Sequence, residues 1–422
     1  MEPIANFWQR PLERMFFRRL IDYSTRLLWL IADQGVFASA SFIVNILFAR
    51  WLLPVDYGMF AVAFSGYLLL TVFHFGAILE PLLVQSNRVE AYRLRAYIVT
   101  LIKAHVILIA AMSMLAGLGL GVACLLGAPM FGWAILAVSI GGSFMVTLLT
   151  ARRLCLVFLS PRVSACIGIL YMVGVVTTTY LVHAAGPVSW FDLWLIMGGW
   201  SLLGSAAIFL LLYGTLGGST SYSLGELCRF QWHYARYGLA ASVCSWVRFD
   251  GVLLLLAHFA GLEAIAETRA MLNVGSPIVQ VHLALHSSWL VEFGRDRRRA
   301  TLWKTVIVYC IALGLMVVVM FVIARPLMQL VYSGRYLHGI WLLPLYVLSQ
   351  AFHVIESIFS CHLKAGGLLW RGYAPQFIGC AVSLLLGLLL IPSMSEAGFI
   401  YAIIISFAVG ATVACSLTQI RT

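Results

Sequence analysis

The stretch TVIVYCIALGLMVVVMFVI at positions 305–323 contains no charged side chain over 19 residues. A helix of this length roughly matches the hydrocarbon core of a bilayer, which is about 30 Å thick. The stretch therefore predicts a transmembrane helix. The rest of the chain has the same character, because 62% of its 422 residues are hydrophobic and only 10% are charged, with a mean hydropathy of +0.97. A soluble domain carries roughly a quarter charged residues, so the composition excludes a soluble fold.

Eleven more apolar runs of similar length occur on either side, separated by short polar breaks, so the sequence predicts an all-α polytopic membrane protein with twelve spans. In chain order the spans are 27–48, 59–79, 97–126, 131–149, 163–183, 193–213, 237–259, 264–290, 303–323, 340–361, 373–391 and 397–417. We expect two six-helix bundles, at 27–213 and 237–422. A basic cytosolic segment at 1–26 lies on the membrane interface before the first bundle, and a cytosolic linker at 214–236 joins the two.

The distribution of lysine and arginine gives an orientation. With a cytosolic N-terminus, twelve spans place 22 of the 27 basic side chains in cytosolic segments. This excess follows the positive-inside rule. One missed span would place every later basic loop on the opposite side of the membrane and remove the excess. Arg50, Arg325 and Arg335 are the three placed outside, whereas Arg248 and Arg269 lie within spans. We therefore expect both termini in the cytosol.

Several classes of function are excluded or disfavoured. The net charge of +11 does not indicate nucleic acid, because the basic residues form short clusters between apolar runs. The nine cysteines are scattered without metal-ligand spacing, so we expect no metal and no cofactor. No Walker A sequence is present. The predicted loops are too short to fold as a catalytic domain, which favours a transporter over a membrane-embedded enzyme.

The two halves share a faint repeat, since Pro54–Phe60 and Gly261–Glu267 are both short acidic turns that open an apolar helix. The segments 32–35 and 45–60 resemble the opening of O-antigen flippase-type polysaccharide transporters, which belong to the multidrug/oligosaccharidyl-lipid/polysaccharide (MOP) exporter superfamily. The segments 263–277 and 332–337 resemble later parts of that family. The resemblance implies two bundles around a V-shaped cavity that opens alternately to each side. It also implies a glycan substrate carried on a polyprenyl diphosphate.

Polar side chains fall on narrow helical strips, and the cost of exposing them to lipid predicts that these strips face the bundle interior. The strips are Gln34, Ser41 and Asn45 in span 1; Tyr67, Thr71 and His74 in span 2; Arg269, Asn273, Ser276, Gln280 and Ser287 in span 8; and Tyr346, Ser349, His353, Glu356 and Ser360 in span 10. Uncharged members can also serve as hydrogen-bonding groups between helices, so a packing role and a cavity role both stay open.

Arg248 and Asp250 lie close to the midpoint of span 7 and are the sharpest pair of buried charges. Two residues apart on a helix, they point to different faces and need separate partners. Three interpretations of Arg248 remain open: contact with the substrate diphosphate, an ion pair with Asp33 of span 1, and a role in binding a coupling ion.

His74 and His353 are candidates for protonation, because they lie on polar strips. The sequence Gly117-x-x-x-Gly121 in span 3 predicts close packing against another helix. Na⁺ and H⁺ are both open as the coupling ion.

We expect a flippase of the bacterial inner membrane that moves a lipid-linked oligosaccharide, an O-antigen or exopolysaccharide repeat, by alternating access. The expected partners are this substrate, membrane lipids and other polysaccharide-assembly proteins, with no nucleic acid. One alternative is an ion-coupled multidrug or cation antiporter of the same superfamily. Another is a membrane-embedded glycan polymerase or acyltransferase.

Overall fold

The computed structural model describes residues 29, 32–33, 35–36, 39–79, 82, 91–125, 127, 129–216, 222–296 and 298–420. All regular elements in this part of the chain are helical, which confirms the all-α prediction. The interfacial segment predicted at 1–26 and the candidate residue Gln34 lie outside the described residues, as does the side chain of Ser287.

The helices follow the predicted spans in chain order. Those of the N-terminal half are α1 (Ser39–Trp51), α2 (Pro54–His74, continued by a π turn at Phe75–Leu79), α3 (Ala91–Leu125), α4 (Pro129–Ala137 and Ser143–Phe158, joined by a π turn at Val138–Gly142), α5 (Pro161–Ala185) and α6 (Trp190–Leu216). Those of the C-terminal half are α7 (Leu224–Trp246 and Val252–Ala260, joined by a π turn at Val247–Gly251), α8 (Leu262–Arg295), α9 (Arg299–Tyr332) and α10 (Leu342–Ala365), followed by a helical stretch at Leu369–Gln419.

This last stretch is two helices. A straight helix of 51 residues would be about 77 Å long, more than twice the thickness of the hydrocarbon core. The backbone breaks at Ser395, where φ is +49° and the conformation is not helical. The chain then turns back on itself, because Ser406 Oγ donates a hydrogen bond to the carbonyl of Gly379 at 2.9 Å. We number the two helices α11 (369–394) and α12 (396–419).

Nine helical stretches in the described residues are long and apolar enough to cross a membrane. Three further spans are hidden from such a count for separate reasons. The continuous helix α1 is described only from Ser39, α8 carries a polar face, and α11 and α12 are counted together. Each of the twelve predicted spans therefore corresponds to one helix.

The helices form two bundles with a cavity between them. In the N-terminal bundle α4 packs on α3 and α6, and α5 packs on α6. In the C-terminal bundle α10 packs on α8, α9 and the α11–α12 hairpin, and α7 packs on the same hairpin. The bundles meet where α2 contacts α7 and α8. The core of the N-terminal bundle includes Phe48, Phe60 and Trp194, which are at most 1% exposed.

The linker predicted at 214–236 is partly helical, since α6 extends to Leu216 and α7 begins at Leu224. A capping box starts α7: Glu226 N donates to Ser223 Oγ at 3.1 Å, and Ser223 N donates to Glu226 Oε2 at 3.0 Å. The boundaries that we assign to the two bundles remain predictions.

At the end of the protein that is predicted to be external, three side chains join the bundles by hydrogen bonds to backbone carbonyls. Arg50 donates to the carbonyls of Leu330 and Val331 in the last turn of α9. Arg335 Nη1 donates to Leu52 O at 3.0 Å, and the Tyr336 hydroxyl donates to Ala49 O at 3.2 Å. Burial raises the pKa of Tyr336 to about 12, so its hydroxyl remains protonated at neutral pH. We call Arg50, Arg335 and Tyr336 the outer contact.

Gly58 lies beside the outer contact, at the start of α2, and allows α2 to approach α8 closely. A Cβ atom at Gly58 would lie 2.1 Å from the carbonyl oxygen of Leu262. By contrast, a Cβ atom at Gly117 or Gly121 would meet nothing within 4 Å in the described part of the chain. The prediction that these two glycines pack closely against another helix of the chain is therefore wrong, because they lie on the outward side of α3.

We expect Gly58→Ala to force α2 away from α8 at this end, at a cost of about 1 to 3 kcal/mol typical of overpacking. The thermal unfolding midpoint of the purified protein should fall, and the spin-label distance between the outer ends of α2 and α8 should increase. Gly117→Ala is the matched control, because it adds the same methyl group where space is open. An unchanged midpoint and distance in Gly58→Ala would show that the close approach is not needed.

Candidate functional site

A cavity of about 620 Å³ lies between the two bundles. Seven of the candidate residues from the sequence line it: Asn45, Arg248, Asp250, Arg269, Asn273, Gln280 and His353. They come from α1, α7, α8 and α10, so both bundles contribute to the wall. The structure thus brings together residues that are more than 300 positions apart in the sequence.

The polar strip of α8 forms one wall of the cavity. Arg269, Asn273, Ser276 and Gln280 recur every three or four residues and all line it, so the predicted strip faces inward. From Arg269 to Gln280 the strip runs about 16 Å along the helix axis. Asn273 Nδ2 also donates to the Tyr57 hydroxyl of α2 at 2.7 Å, which connects this wall to the N-terminal bundle.

Arg248 is held inside the C-terminal bundle by a two-point ion pair. Its Nη1 lies 2.9 Å from Glu356 Oε1, and its Nη2 lies 2.8 Å from Glu356 Oε2. Its Nε donates to Ser406 Oγ at 2.6 Å, and Nη2 also donates to the Ser406 carbonyl at 2.7 Å. Both charged residues are 2% exposed. All three guanidinium nitrogens therefore have acceptors within the protein.

Two glycines make room for this pair. A Cβ atom at Gly379 of α11 would lie 2.4 Å from Arg248 Cζ, and one at Gly410 of α12 would lie 2.3 Å from Glu356 Oε2. The guanidinium also lies over the Phe407 ring, with Cζ 4.0 Å from the ring centroid. The pair therefore joins α7, α10 and the α11–α12 hairpin at one point.

Asp250 faces the other way, toward the N-terminal bundle. It accepts a hydrogen bond from Ser65 Oγ of α2 at 3.2 Å, and Arg269 Nη1 of α8 lies 3.6 Å from its Oδ1. The prediction that Arg248 and Asp250 need separate partners is confirmed. Both residues lie in the π turn of α7, a distortion that is common at functional sites.

Arg269 is less fully bonded than Arg248. Its Cζ lies 4.7 Å from the centroid of the Phe64 ring. Its Nε is buried, and within the described residues no hydrogen-bond acceptor meets it. Arg269 therefore presents an incompletely bonded cation at the cavity wall, where an anionic group could bind.

Asp33 does not meet Arg248, so that predicted ion pair is wrong. Its Oδ1 lies 2.7 Å from Arg152 Nη2 and accepts a hydrogen bond from Ser164 Oγ at 2.8 Å. Arg152 and Ser164 belong to α4 and α5 of the same bundle. Because α1 packs within its own bundle at this level, the carboxylate finds a nearer cation there.

His74 and Glu356 also lie away from the cavity wall. His74 is 1% exposed inside the N-terminal bundle, with Nε2 2.8 Å from Thr150 Oγ1 and its ring 4.7 Å from that of His105. Glu356 does not line the cavity, and it is bonded to Arg248, which does. By contrast, His353 lines the cavity and stacks on Phe407 at a centroid distance of 4.4 Å.

Sequence reasoning missed several wall residues. Gln350 and Gln376 line the cavity although neither was assigned to a strip. The same argument about polar side chains within apolar runs would have found both. The cavity also has phenylalanine rings from both bundles, which no periodic signal distinguishes from core residues: Phe42, Phe64, Phe249 and Phe407. Tyr346, a member of the predicted strip in span 10, lines it as well.

The arrangement of two bundles around a cavity is similar to the fold of several solved membrane transporters. The lipid II flippase MurJ in an inward closed conformation is similar over 93% of this chain and 88% of its own, with a TM-score of 0.73 at 15% identity. The Vibrio cholerae MATE transporter VcmN is similar over 94% of this chain and 97% of its own, with a TM-score of 0.63 at 15% identity. An inward-facing multidrug resistance transporter of the MATE family gives a TM-score of 0.62 at 12% identity, over 93% of this chain and 96% of its own.

No protein-family model matches the chain, and neither does any curated protein sequence. The likeness to these solved structures therefore concerns the fold. They are transporters rather than enzymes, and they include both a flippase and multidrug transporters.

Proposed function

We propose that the chain is a flippase that moves an oligosaccharide linked to a polyprenyl diphosphate across the bacterial inner membrane. The observation that carries this proposal is the composition of the cavity wall, which combines amides, aromatic rings and an incompletely bonded arginine. The similarity in fold to the lipid II flippase is consistent with it.

The wall offers groups that recognise sugars. Asn45, Asn273, Gln280, Gln350 and Gln376 supply amide donors and acceptors, and the aromatic rings supply flat apolar faces. Amides can bond sugar hydroxyls as donor and acceptor at once. A cavity of this volume falls in the range of pockets that enclose a small ligand, roughly 300 to 1,000 Å³. A short glycan fits both its chemistry and its size.

The charges favour an anionic group over a cation. Two arginines and one carboxylate line the wall, and that carboxylate, Asp250, lies beside Arg269. We assign the diphosphate to Arg269, because Arg248 is already bonded to Glu356 and Ser406. A cation antiporter needs an acidic cavity, so the multidrug interpretation is the weaker one.

The proposal includes an orientation with both termini in the cytosol, supported by the distribution of basic residues. In this orientation the outer contact closes the external side. Polysaccharide-assembly proteins would supply the substrate and use the product.

Reconstituted vesicles would test the proposal directly. We expect the purified protein to move a fluorescent polyprenyl-diphosphate oligosaccharide between leaflets, measured by loss of accessibility to a membrane-impermeant quencher. The same vesicles should not transport ethidium. Transport of ethidium without movement of the glycolipid would favour the multidrug alternative.

In cells, deletion of the gene should leave the lipid-linked oligosaccharide on the cytosolic leaflet. Normal surface glycan with no stranded intermediate would contradict the proposal.

A further inference from the structure

Three histidines form a cluster between α8 and α10 and take no part in the ion pairs described above. The ring centroid of His282 lies 4.4 Å from that of His353 and 6.5 Å from that of His286. His282 is 5% exposed and lies between the other two rings. The first spacing brings two imidazoles into contact, and the second places His286 about one helical turn further along α8.

The cluster has one end at the cavity. His353 lines the cavity wall and stacks on Phe407, and Arg248 Cζ lies 4.0 Å from the centroid of the same ring. His353 and Arg248 thus share the Phe407 ring, and the planes of His353 and Phe407 are inclined by 23°. This end of the cluster is therefore next to the Arg248–Glu356 ion pair.

The other end points toward the predicted cytosolic side. His286 Nδ1 lies 2.8 Å from Ser357 Oγ, and its ring contacts Cys361 Sγ at 3.4 Å. His286 lies about 6 Å beyond His282 along α8, in the direction of the cytosolic end at Arg295. The cluster thus extends from the middle of the membrane toward the cytosol.

The middle ring has an unsatisfied nitrogen. His282 Nδ1 is buried, and within the described residues no hydrogen-bond partner meets it. Burying a polar atom without a partner is costly, and a purely structural aromatic residue would avoid that cost. A nitrogen free to accept a proton is what a transfer step requires.

Several charged and titratable groups surround the cluster. Arg248 of α7 and Lys364 of α10 act on it from the two ends, Glu356 and Cys361 of α10 lie alongside, and Tyr309 of α9 contacts Trp289, whose ring lies 6.0 Å from that of His282.

We propose that His286, His282 and His353 form a proton relay between the cytosolic end and the cavity, and that H⁺ is the coupling ion of the flippase proposed above. In each step one ring nitrogen accepts a proton while the other nitrogen of that ring releases its own. A rotation of the ring then turns the newly protonated nitrogen toward the next group, and the ring is neutral before and after each step.

The relay also explains how a proton could act on the ion pair. Glu356 follows His353 by three residues on α10, so the two side chains lie on neighbouring positions of one face. A proton transferred to the Glu356 carboxylate removes its charge and the attraction to Arg248. Arg248 then needs a new acceptor, which a diphosphate in the cavity can supply.

A pH jump on vesicles adsorbed to a solid-supported membrane tests the relay without any glycolipid. We expect the wild-type protein to give a transient proton current and His282→Gln to reduce it about tenfold. His258→Gln is the matched control, because His258 also lies in a membrane helix but is exposed at the other end of α7. Its current should equal that of the wild type.

His353→Gln is a second variant for the case that His282→Gln does not fold. Thermal unfolding of both purified variants checks that each is folded. A full-size current in either folded variant, or no current in the wild type, overturns the relay. Glycolipid movement that is independent of the pH gradient also overturns it while leaving the flippase proposal intact. A proton current without glycolipid movement would support the relay and contradict the flippase proposal.

Discussion

Glu356→Ala is expected to destabilise the folded protein by about 3 to 5 kcal/mol. The substitution leaves the Arg248 guanidinium buried at 2% exposure, with Ser406 as its remaining hydrogen-bond acceptor among the described residues. Removing one member of a buried ion pair is costly because the remaining charge stays out of water without compensation. The yield of folded protein and its thermal unfolding midpoint in detergent should both fall sharply.

Two controls separate this effect from loss of a carboxylate in general. Glu292→Ala removes an exposed acidic residue of α8 and should change stability by less than about 0.5 kcal/mol. The double variant Arg248→Met/Glu356→Met removes both charges and should recover most of the lost stability. If Glu356→Ala and the double variant are equally unstable, the ion pair is not the source of the effect.

Arg269→Gln is expected to slow glycolipid movement roughly 100-fold, since losing a desolvated contact between a cation and a phosphate costs about 2 to 3 kcal/mol. Glutamine keeps a polar side chain on the cavity wall but removes the positive charge. The rate of leaflet exchange in the reconstituted vesicles measures the effect.

Because Arg269 also lies near Asp250, the variant Arg269→Gln/Asp250→Asn should be examined beside it. The double variant removes the unpaired carboxylate and should restore stability but not transport. Arg325→Gln is the control for charge alone, because Arg325 is exposed on α9. Wild-type transport by Arg269→Gln would exclude Arg269 from diphosphate binding.

The sequence alone was sufficient to predict the membrane-spanning helices and the cavity wall that α8 forms. Both depend on local physical rules: the length of an apolar run, and a polar strip repeated at the helical period. Even α8, whose polar face lowers its hydropathy, was found, because its apolar run is long enough and the alternation of basic loops along the chain requires a span there. The strip of Arg269, Asn273 and Gln280 was predicted correctly because its polar residues repeat at the helical period.

The ion-pair partners of the buried arginines could not be predicted in the same way. Arg152 was assigned to a cytosolic loop because the apolar run ends near Leu149, but α4 continues to Phe158 and buries Arg152 against Asp33. The Arg248–Glu356 pair depends on Gly379 and Gly410, which come close only when the chain folds back at Ser395. Such contacts follow from tertiary packing and have no signature in the pattern of one helix.

The outer contact joins the two bundles without an acidic side chain. Its acceptors are backbone carbonyls, which do not titrate, and its donors are two guanidinium groups and a tyrosine hydroxyl whose pKa is raised by burial. The hydrogen bonds that hold the two bundles together at this end are therefore less sensitive to acidity than an ion pair with a carboxylate would be. Opening here requires another change, such as occupation of the cavity, to make the closed arrangement less favourable.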